Sequence, residues 1–218
     1  MSDAPKAYFA EFLGTALLLF CGTGAIVVDV ASGGTVGHLG IAFSFGAIVT
    51  AVIYSFGEVS GAHINPAVTL AFWLAGKFPG RRVPGYLLAQ SAGALLASAA
   101  LRFIFPETPT LGETLPAGPP LQSFVLEIVL TFILMLVILQ VATGSREQGL
   151  TAGVVIGLVV MLEAAFAGPI CGASMNPARS LAPALVNANL THIWIYLVAP
   201  VIGAALAVGP WKLLQGPK

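Results

Sequence analysis

The stretch SGAHINPAVTLAFW (60–73) recurs in altered form as CGASMNPARSLAPAL (171–185), and this pair decides the fold. In each copy a Gly-containing stretch leads into Asn-Pro-Ala and then into an apolar segment, 66–75 or 177–186. Both apolar segments are too short to cross a hydrocarbon core of ~30 Å. Irregular backbone at membrane depth survives only where protein buries it or a wet cavity touches it. The pair therefore predicts two short helices that enter the membrane without crossing it.

The Asn-Pro-Ala tripeptides are typical helix starts. Asn is a favoured N-cap residue, and Pro suits the first helical position because it lacks an N–H. We expect the side-chain oxygen of Asn65 to cap the N–H of Val68, and that of Asn176 to cap Arg179, which leaves both NH2 groups free to donate into a lumen. Two half-helices that meet by their N-termini also disfavour cations between them. The predicted pore motifs are Asn65, Pro66, Ala67, Asn176, Pro177 and Ala178.

The chain reads as one channel domain built from two repeats, about 1–110 and 120–218. Each repeat contains three apolar spans, and an odd number inverts the second repeat in the membrane. Inverted repeats with broken helices place their functional site at the midplane, where the short segments meet. The matched positions are Glu11 and Glu127, Thr15 and Thr131, Gly46 and Gly157, Ser60 and Cys171, Tyr86 and Tyr196, and Gly93 and Gly203.

The composition is that of a membrane protein. Of 218 residues, 57% are hydrophobic and 8% charged, whereas soluble domains carry about a quarter charged residues. The linker 106–120 is rich in Pro and Gly and predicts an exposed loop between the repeats. We therefore expect an all-α membrane protein with six transmembrane helices and two re-entrant half-helices. The predicted spans are about 8–30, 38–57, 83–105, 121–143, 150–168 and 193–214.

The charges predict orientation and exclude several partners. The loops 31–37 and 106–120 contain no Lys or Arg, so the positive-inside rule predicts that both termini are cytoplasmic. The short termini favour a bacterial plasma membrane. A net charge of zero gives no reason to expect nucleic acid, and the two cysteines have no metal-ligand spacing, so we expect no metal and no cofactor. The positive residues on the terminal side are Lys6, Lys77, Arg81, Arg82, Arg146, Lys212 and Lys218.

The two motif stretches resemble the paired signature loops of the aquaporin, or major intrinsic protein, family. FAGPICGASMNPARSLAPAL (166–185) is especially similar to plant nodulin-like intrinsic proteins and their bacterial relatives. The resemblance implies a homotetramer with a pore in each protomer, passing water and small uncharged solutes while excluding ions and protons. Glycerol facilitators typically carry Asp where this chain has Ser180. That difference argues against their branch without excluding glycerol as a solute.

The resemblance also implies a selectivity filter. It places the filter aromatic at Phe45, the span-five position at Ala164, the loop E position at Ala173 and the filter arginine at Arg179. Water-specific members typically carry His at the span-five position, and glycerol facilitators typically pair two aromatic residues. With one aromatic and two alanines, we expect a filter wider than a water-only pore. It would pass glycerol or a neutral metalloid hydroxide such as boric, arsenous or silicic acid.

Four further polar residues lie within the apolar part of the chain. Glu11 and Glu127 occupy matching positions, and we expect them to hold backbone N–H groups of the re-entrant loops. His63 is expected to line the cytoplasmic vestibule, with a packed histidine as the alternative. Glu163 is assigned no role. It braces a loop, neutralises Arg179 indirectly, or titrates.

Two other functions stay open as alternatives, and a third is not expected. One is a strictly water-selective aquaporin. A second is an ion-coupled secondary transporter, which usually needs a midplane carboxylate that only Glu163 offers. A membrane enzyme needs a nucleophile with a base or a set of metal ligands. The three histidines, His38, His63 and His192, are scattered over different regions, so we expect no enzyme.

Overall fold

The computed structural model describes residues 4–215, except for the side chains of residues 146–148. Lys218 and the side chain of Arg146, both used in the orientation argument, therefore lie outside the described residues. Within 4–215, six helices are long and apolar enough to cross a membrane. The predicted all-α fold of six spans and two half-helices is confirmed. The helices are α1 (Ala4–Ala31), α2 (Gly37–Ser60), α3 (Pro66–Leu74), α4 (Val83–Ile104), α5 (Pro120–Thr143), α6 (Arg146–Cys171), α7 (Pro177–Val186) and α8 (Ile193–Leu214).

Polarity is distributed as the bilayer requires. Large apolar side chains face outward, whereas Glu11, Gln90 and Glu127 are fully buried among the helices. Lipid offers no water to polar groups, so ionisable side chains in spans face the bundle interior. The most exposed of the apolar residues are Phe103, Leu213, Leu88, Leu39 and Leu121.

Matched glycines bring the helices of each repeat together. A side chain at Gly93 of α4 would clash with the Phe12 carbonyl oxygen on α1, and one at Gly203 of α8 would clash with that of Ile128 on α5. Small residues of this kind let membrane helices pack backbone against backbone. Helix α1 therefore packs closely against α4, and α5 packs closely against α8. The two repeats thus share the same helix–helix contact at matched glycines.

The linker between the repeats is not simply an exposed loop, so that prediction is wrong for its middle part. Leu111 is fully buried and packs with Val27 and Leu101. Gly112 and Thr114 are also buried. The polar groups of this segment find partners on α7, which removes the need for water around them.

Candidate functional site

The two re-entrant loops share an unusual backbone. Ala62 and Ile64 before α3 have φ values of 46° and 44°, and Ala173 and Met175 before α7 have φ values of 41° and 54°. Left-handed conformations are uncommon for residues other than Gly and persist only where the surroundings hold them. Each loop therefore needs an anchor, and each repeat supplies one.

Glu11 anchors the first loop. Its carboxylate accepts hydrogen bonds from the N–H groups of His63 at 2.9 Å and Ile64 at 2.7 Å. The Ser60 hydroxyl and the Gln90 amide each donate to it as well, at 2.7 Å. Four donors surround one buried carboxylate, which makes its contacts structural and leaves it away from any solute.

Glu127 holds the second loop with fewer strong donors. Its carboxylate accepts from the N–H groups of Ser174 at 2.7 Å and Met175 at 2.8 Å. At the positions matching the hydroxyl and amide donors of the first repeat, the chain has Cys171 and Pro200. A thiol is a weak donor and Pro offers none. Glu127 thus holds the second loop mainly through two backbone bonds.

Asn65 caps α3 differently from the expected geometry. Its side-chain oxygen accepts from the N–H of Ala67 at 2.9 Å, one residue before the expected Val68. Its NH2 group donates to the carbonyl oxygen of Met175 in the other re-entrant loop at 2.7 Å. The expectation that this NH2 is wholly free is therefore wrong, because one of its two hydrogens is used.

Asn176 repeats this arrangement at α7. Its oxygen accepts from the N–H groups of Ala178 at 3.0 Å and Arg179 at 3.3 Å. Its NH2 group donates to the carbonyl oxygen of Ile64 at 2.9 Å. The two loops therefore hold each other crosswise, and the second side-chain N–H of each Asn stays available at the cavity wall.

Pro66 and Pro177 occupy the first position of their half-helices, as their missing N–H favours. Ala67 and Ala178 follow and are buried. These four residues belong to the helix starts, and the lumen is formed by their neighbours.

A cavity of about 120 Å³ runs between the two repeats. Much of its wall is apolar, with Val49, Ile53 and Val160 among the contributing residues. Polar groups are few and come mainly from the re-entrant loops. The residues assigned from sequence that line this cavity are Phe45, His63, Asn65, Ala164, Ala173, Asn176 and Arg179.

Arg179 is the charged group on the cavity wall. Its side chain is 3% exposed, and Nη1 donates to the carbonyl oxygen of Gly112 at 2.6 Å. The guanidinium carbon lies 5.1 Å from the centre of the Phe45 ring, a cation–π distance. Because Ala164 and Ala173 line the same cavity with methyl groups, the wall combines a fork of N–H donors with apolar surface.

His63 lines the cavity and is also buried by packing. It therefore has features of both predicted roles, the pore-lining histidine and the packed one. Its Nδ1 is 3.1 Å from the hydroxyl of Thr69. That hydroxyl accepts from Gln90 at 2.9 Å and donates its one hydrogen to the Asn65 carbonyl oxygen at 3.0 Å. All these contacts are satisfied if Nδ1 carries the hydrogen. His63 then offers its Nε2 as an acceptor.

Glu163 lies outside the cavity wall. It is 1% exposed, and neither carboxyl oxygen has a hydrogen-bond partner among the described residues. Neither oxygen bonds to Arg179, so the suggested neutralising role is not supported. The matching residue of the first repeat is the buried Val52.

Replacing Glu163 with Leu should stabilise the protein by about 1–3 kcal/mol, because a buried polar group without a partner is replaced by an apolar one. Solute flux should stay unchanged. Thermal unfolding in detergent and liposome swelling measure the two effects. Exposed Glu58, changed to Leu, serves as the control. A lower unfolding temperature for Glu163→Leu would show that the carboxyl group holds a partner.

Three residues that support the predicted filter side chains, or the helix that carries Arg179, were missed from the sequence. Gly22 leaves room for the Phe45 ring, since a side chain there would clash with it. Gly112 supplies the carbonyl bound by Arg179, and the Thr114 hydroxyl donates to Ser180 at 2.7 Å. Gly112 and Thr114 belong to the linker, which has no partner in the repeat. No pattern in the sequence singles them out.

Two half-helices that meet inside an inverted repeat, around a narrow cavity with donors on an apolar wall, define a membrane channel for small molecules. The family model described as Major intrinsic protein matches residues 1–209. The chain belongs to this family, and it is a multi-pass membrane channel for water and small neutral solutes.

Relatives and a solved structure match almost the whole chain. Aquaporin NIP1-4 of Oryza sativa subsp. japonica is 49% identical over 207 residues, covering 94% of this chain and 76% of its own length. Aquaporin NIP3-1 of Arabidopsis thaliana is 46% identical over 216 residues, covering 95% and 67%. The X-ray structure of the aquaglyceroporin from Plasmodium falciparum aligns with a TM-score of 0.88 at 25% identity, covering 99% and 98%.

Proposed function

We propose that the pore passes glycerol or a neutral metalloid hydroxide as well as water, and that it excludes protons and inorganic ions. The observation that carries this proposal is the pair of methyl groups, Ala164 and Ala173, on the same cavity wall as Arg179. A polyol needs more room than water, and its hydroxyls need donors opposite an apolar surface. Arg179 and the two Asn residues supply donors, and Phe45 supplies apolar surface. Likeness to a solved aquaglyceroporin supports the same conclusion.

Charge exclusion follows from the same groups. The half-helices α3 and α7 meet near their N-termini, where the helix dipole is positive. Arg179 adds a full positive charge on the cavity wall. Both features disfavour cations, and the Asn donors orient a passing oxygen so that a proton relay is interrupted.

We propose that the active form is a homotetramer in a plasma membrane, with both termini cytoplasmic and one channel domain per chain. Membership of the family supports the tetramer, and the positive-inside rule supports the orientation. The relatives named above come from plants. The expected bacterial source finds no support among them.

A coupled transporter fits less well. Such a protein usually places a carboxylate at its binding site, but Glu163 does not contribute to the cavity wall. We therefore propose passive flux without chemistry on the solute.

Proteoliposome swelling tests this proposal directly. We expect vesicles containing the protein to admit water and at least one of glycerol, boric acid or arsenous acid faster than protein-free vesicles. Sodium or proton gradients should change none of these rates, and no proton or sodium conductance should exceed background. Passage of water alone would favour the strictly water-selective alternative. Flux that follows an ion gradient would favour the transporter.

A further inference from the structure

Three consecutive linker residues, Gly112, Glu113 and Thr114, bind α7 or the segment that follows it; we refer to them as the outer strap. The Gly112 carbonyl oxygen accepts from Arg179 at 2.6 Å, and the Thr114 hydroxyl donates to Ser180 at 2.7 Å. The outer strap thus holds the first turn of α7, which carries the proposed filter arginine, Arg179.

Glu113 holds the other end of the same half-helix. Its Oε1 accepts from the side-chain NH2 of Asn187, and its Oε2 accepts from that of Asn189 at 2.8 Å. The side-chain oxygen of Asn187 in turn accepts from Nη2 of Arg102 at the end of α4. One neutral amide therefore bridges a negative and a positive side chain, with a donor turned toward the carboxylate and an acceptor toward the guanidinium.

Arg102 extends this network back into the linker. Its Nη1 donates to the carbonyl oxygens of Thr108 at 2.7 Å and Pro106 at 3.1 Å. Arg102, Glu113 and Asn187 are half-buried, so water screens their interaction less than it would at an open surface. Three separate pieces of chain, the end of α4, the linker and the end of α7, are joined at this point.

The outer strap fits tightly where it lies. Gly112 has a φ of +70°, and a side chain on it would come within 3.0 Å of Thr23 on α1. Gly172 of the second re-entrant loop has a φ of +83°, and a side chain there would come within 2.9 Å of Thr114. Glycine is needed at both places, so the Gly112 carbonyl has little freedom to reach Arg179 from another position.

We propose that Glu113 is a positioning residue for the filter, which rests on the proposed function of the pore. Through Asn187 and Arg102 it seats the outer strap, so that the Gly112 carbonyl holds the guanidinium of Arg179 at the wall. If the outer strap loosens, the buried N–H groups of Arg179 lose this acceptor. They then turn toward water in the lumen, because unpaired buried donors are costly. The pore narrows, and larger solutes are obstructed more than water.

The test exchanges the two ends of the bridge. Glu113→Gln places the new NH2 group against the NH2 group of Asn187 or Asn189, so one hydrogen bond is lost. This should lower the glycerol-to-water permeability ratio about three- to tenfold, the range expected for one lost hydrogen bond. Asn187→Asp puts two carboxylates together and should also lower the ratio. The double variant Glu113→Gln/Asn187→Asp restores the bonds of position 187 to Arg102 and to position 113, the latter with its direction reversed, because the new carboxylate accepts from both Arg102 and the new amide. It gives up only the longer bond of 3.2 Å from Asn187 to the Pro109 carbonyl oxygen. It should recover the ratio.

The matched control is Glu107→Gln, which removes the same charge from an exposed position of the same linker and should leave the ratio unchanged. Vesicles are compared at equal protein content and after a check of thermal unfolding. A wild-type ratio in Glu113→Gln, or an equal fall of both fluxes without recovery in the double variant, would overturn the positioning role. Wild-type vesicles that pass water but none of glycerol, boric acid and arsenous acid would instead contradict the proposed function. In that case recovery of water flux in the double variant still decides for Glu113, and lack of recovery decides against it.

Discussion

Replacing Ala164 with His should suppress glycerol flux about tenfold or more while water flux falls far less, since a single added group in a fitted site commonly changes discrimination by 10-fold or more. Ala164 lines the same cavity as Arg179 and Phe45 and offers only a methyl group there. An imidazole at this position would fill space that a polyol needs and would add a polar group to the apolar wall. Stopped-flow swelling with water and with glycerol measures the change.

The control for this experiment is Ala165→His, the next residue of α6. It points about 100° away around the helix, and Ala165 does not line the cavity. Its flux ratio should match that of the unmodified protein. An unchanged ratio in Ala164→His would mean that position 164 is not a filter wall and that span five has been aligned wrongly with the family.

Replacing Glu127 with Gln should destabilise the protein by about 3 kcal/mol or more, because a bond to a charged acceptor is lost and a buried N–H is left facing another donor. Glu127 accepts from Ser174 and Met175, which precede the Asn176 cap. The left-handed backbone at Ala173 and Met175 would lose its anchor. We expect a lower unfolding temperature in detergent together with reduced solute flux.

Glu11→Gln provides an informative comparison. Glu11 has two side-chain donors, Ser60 and Gln90, besides its two backbone donors, so its loop retains more contacts after the change. The loss of stability in Glu11→Gln should therefore be smaller than the loss in Glu127→Gln. Exposed Glu58, changed to Gln, should have no effect. Equal unfolding temperatures for Glu127→Gln and the unmodified protein would show that the second loop is held by other contacts.

Much of the fold could be predicted because the same sequence pattern occurs in both repeats. The Asn-Pro pairs at 65–66 and 176–177 mark where the half-helices begin, and the matched glutamates on α1 and α5 indicate the anchors. Periodicity and length were sufficient for the spans, since lipid leaves few alternatives to a helix. Where α6 ends was predicted less well, because the helix continues past Pro169 to Cys171.

The parts that sequence reasoning missed depend on contacts between distant residues without a repeat. Arg179 and Gly112 are 67 positions apart, and the linker that carries Gly112 occurs once. The cap of Asn65 shifted from Val68 to Ala67 because local backbone geometry, which no motif specifies, decides which N–H is nearest. Glu163 could not be assigned from sequence because its environment depends on the packing of α6 against neighbouring elements.

The crosswise bonds between the re-entrant loops have a consequence for how the chain is made. The Asn65 side chain donates to Met175, 110 positions later, and Asn176 donates back to Ile64. During synthesis the first half leaves the ribosome well before its partner loop exists. Until α7 has been made, the Asn65 side-chain NH2 group and the Ile64 carbonyl oxygen therefore lack these partners. Insertion of the first half and completion of the pore are therefore separate steps. The first half inserts early, but the part of the lumen that it lines becomes native only when the second half has been translated and has docked.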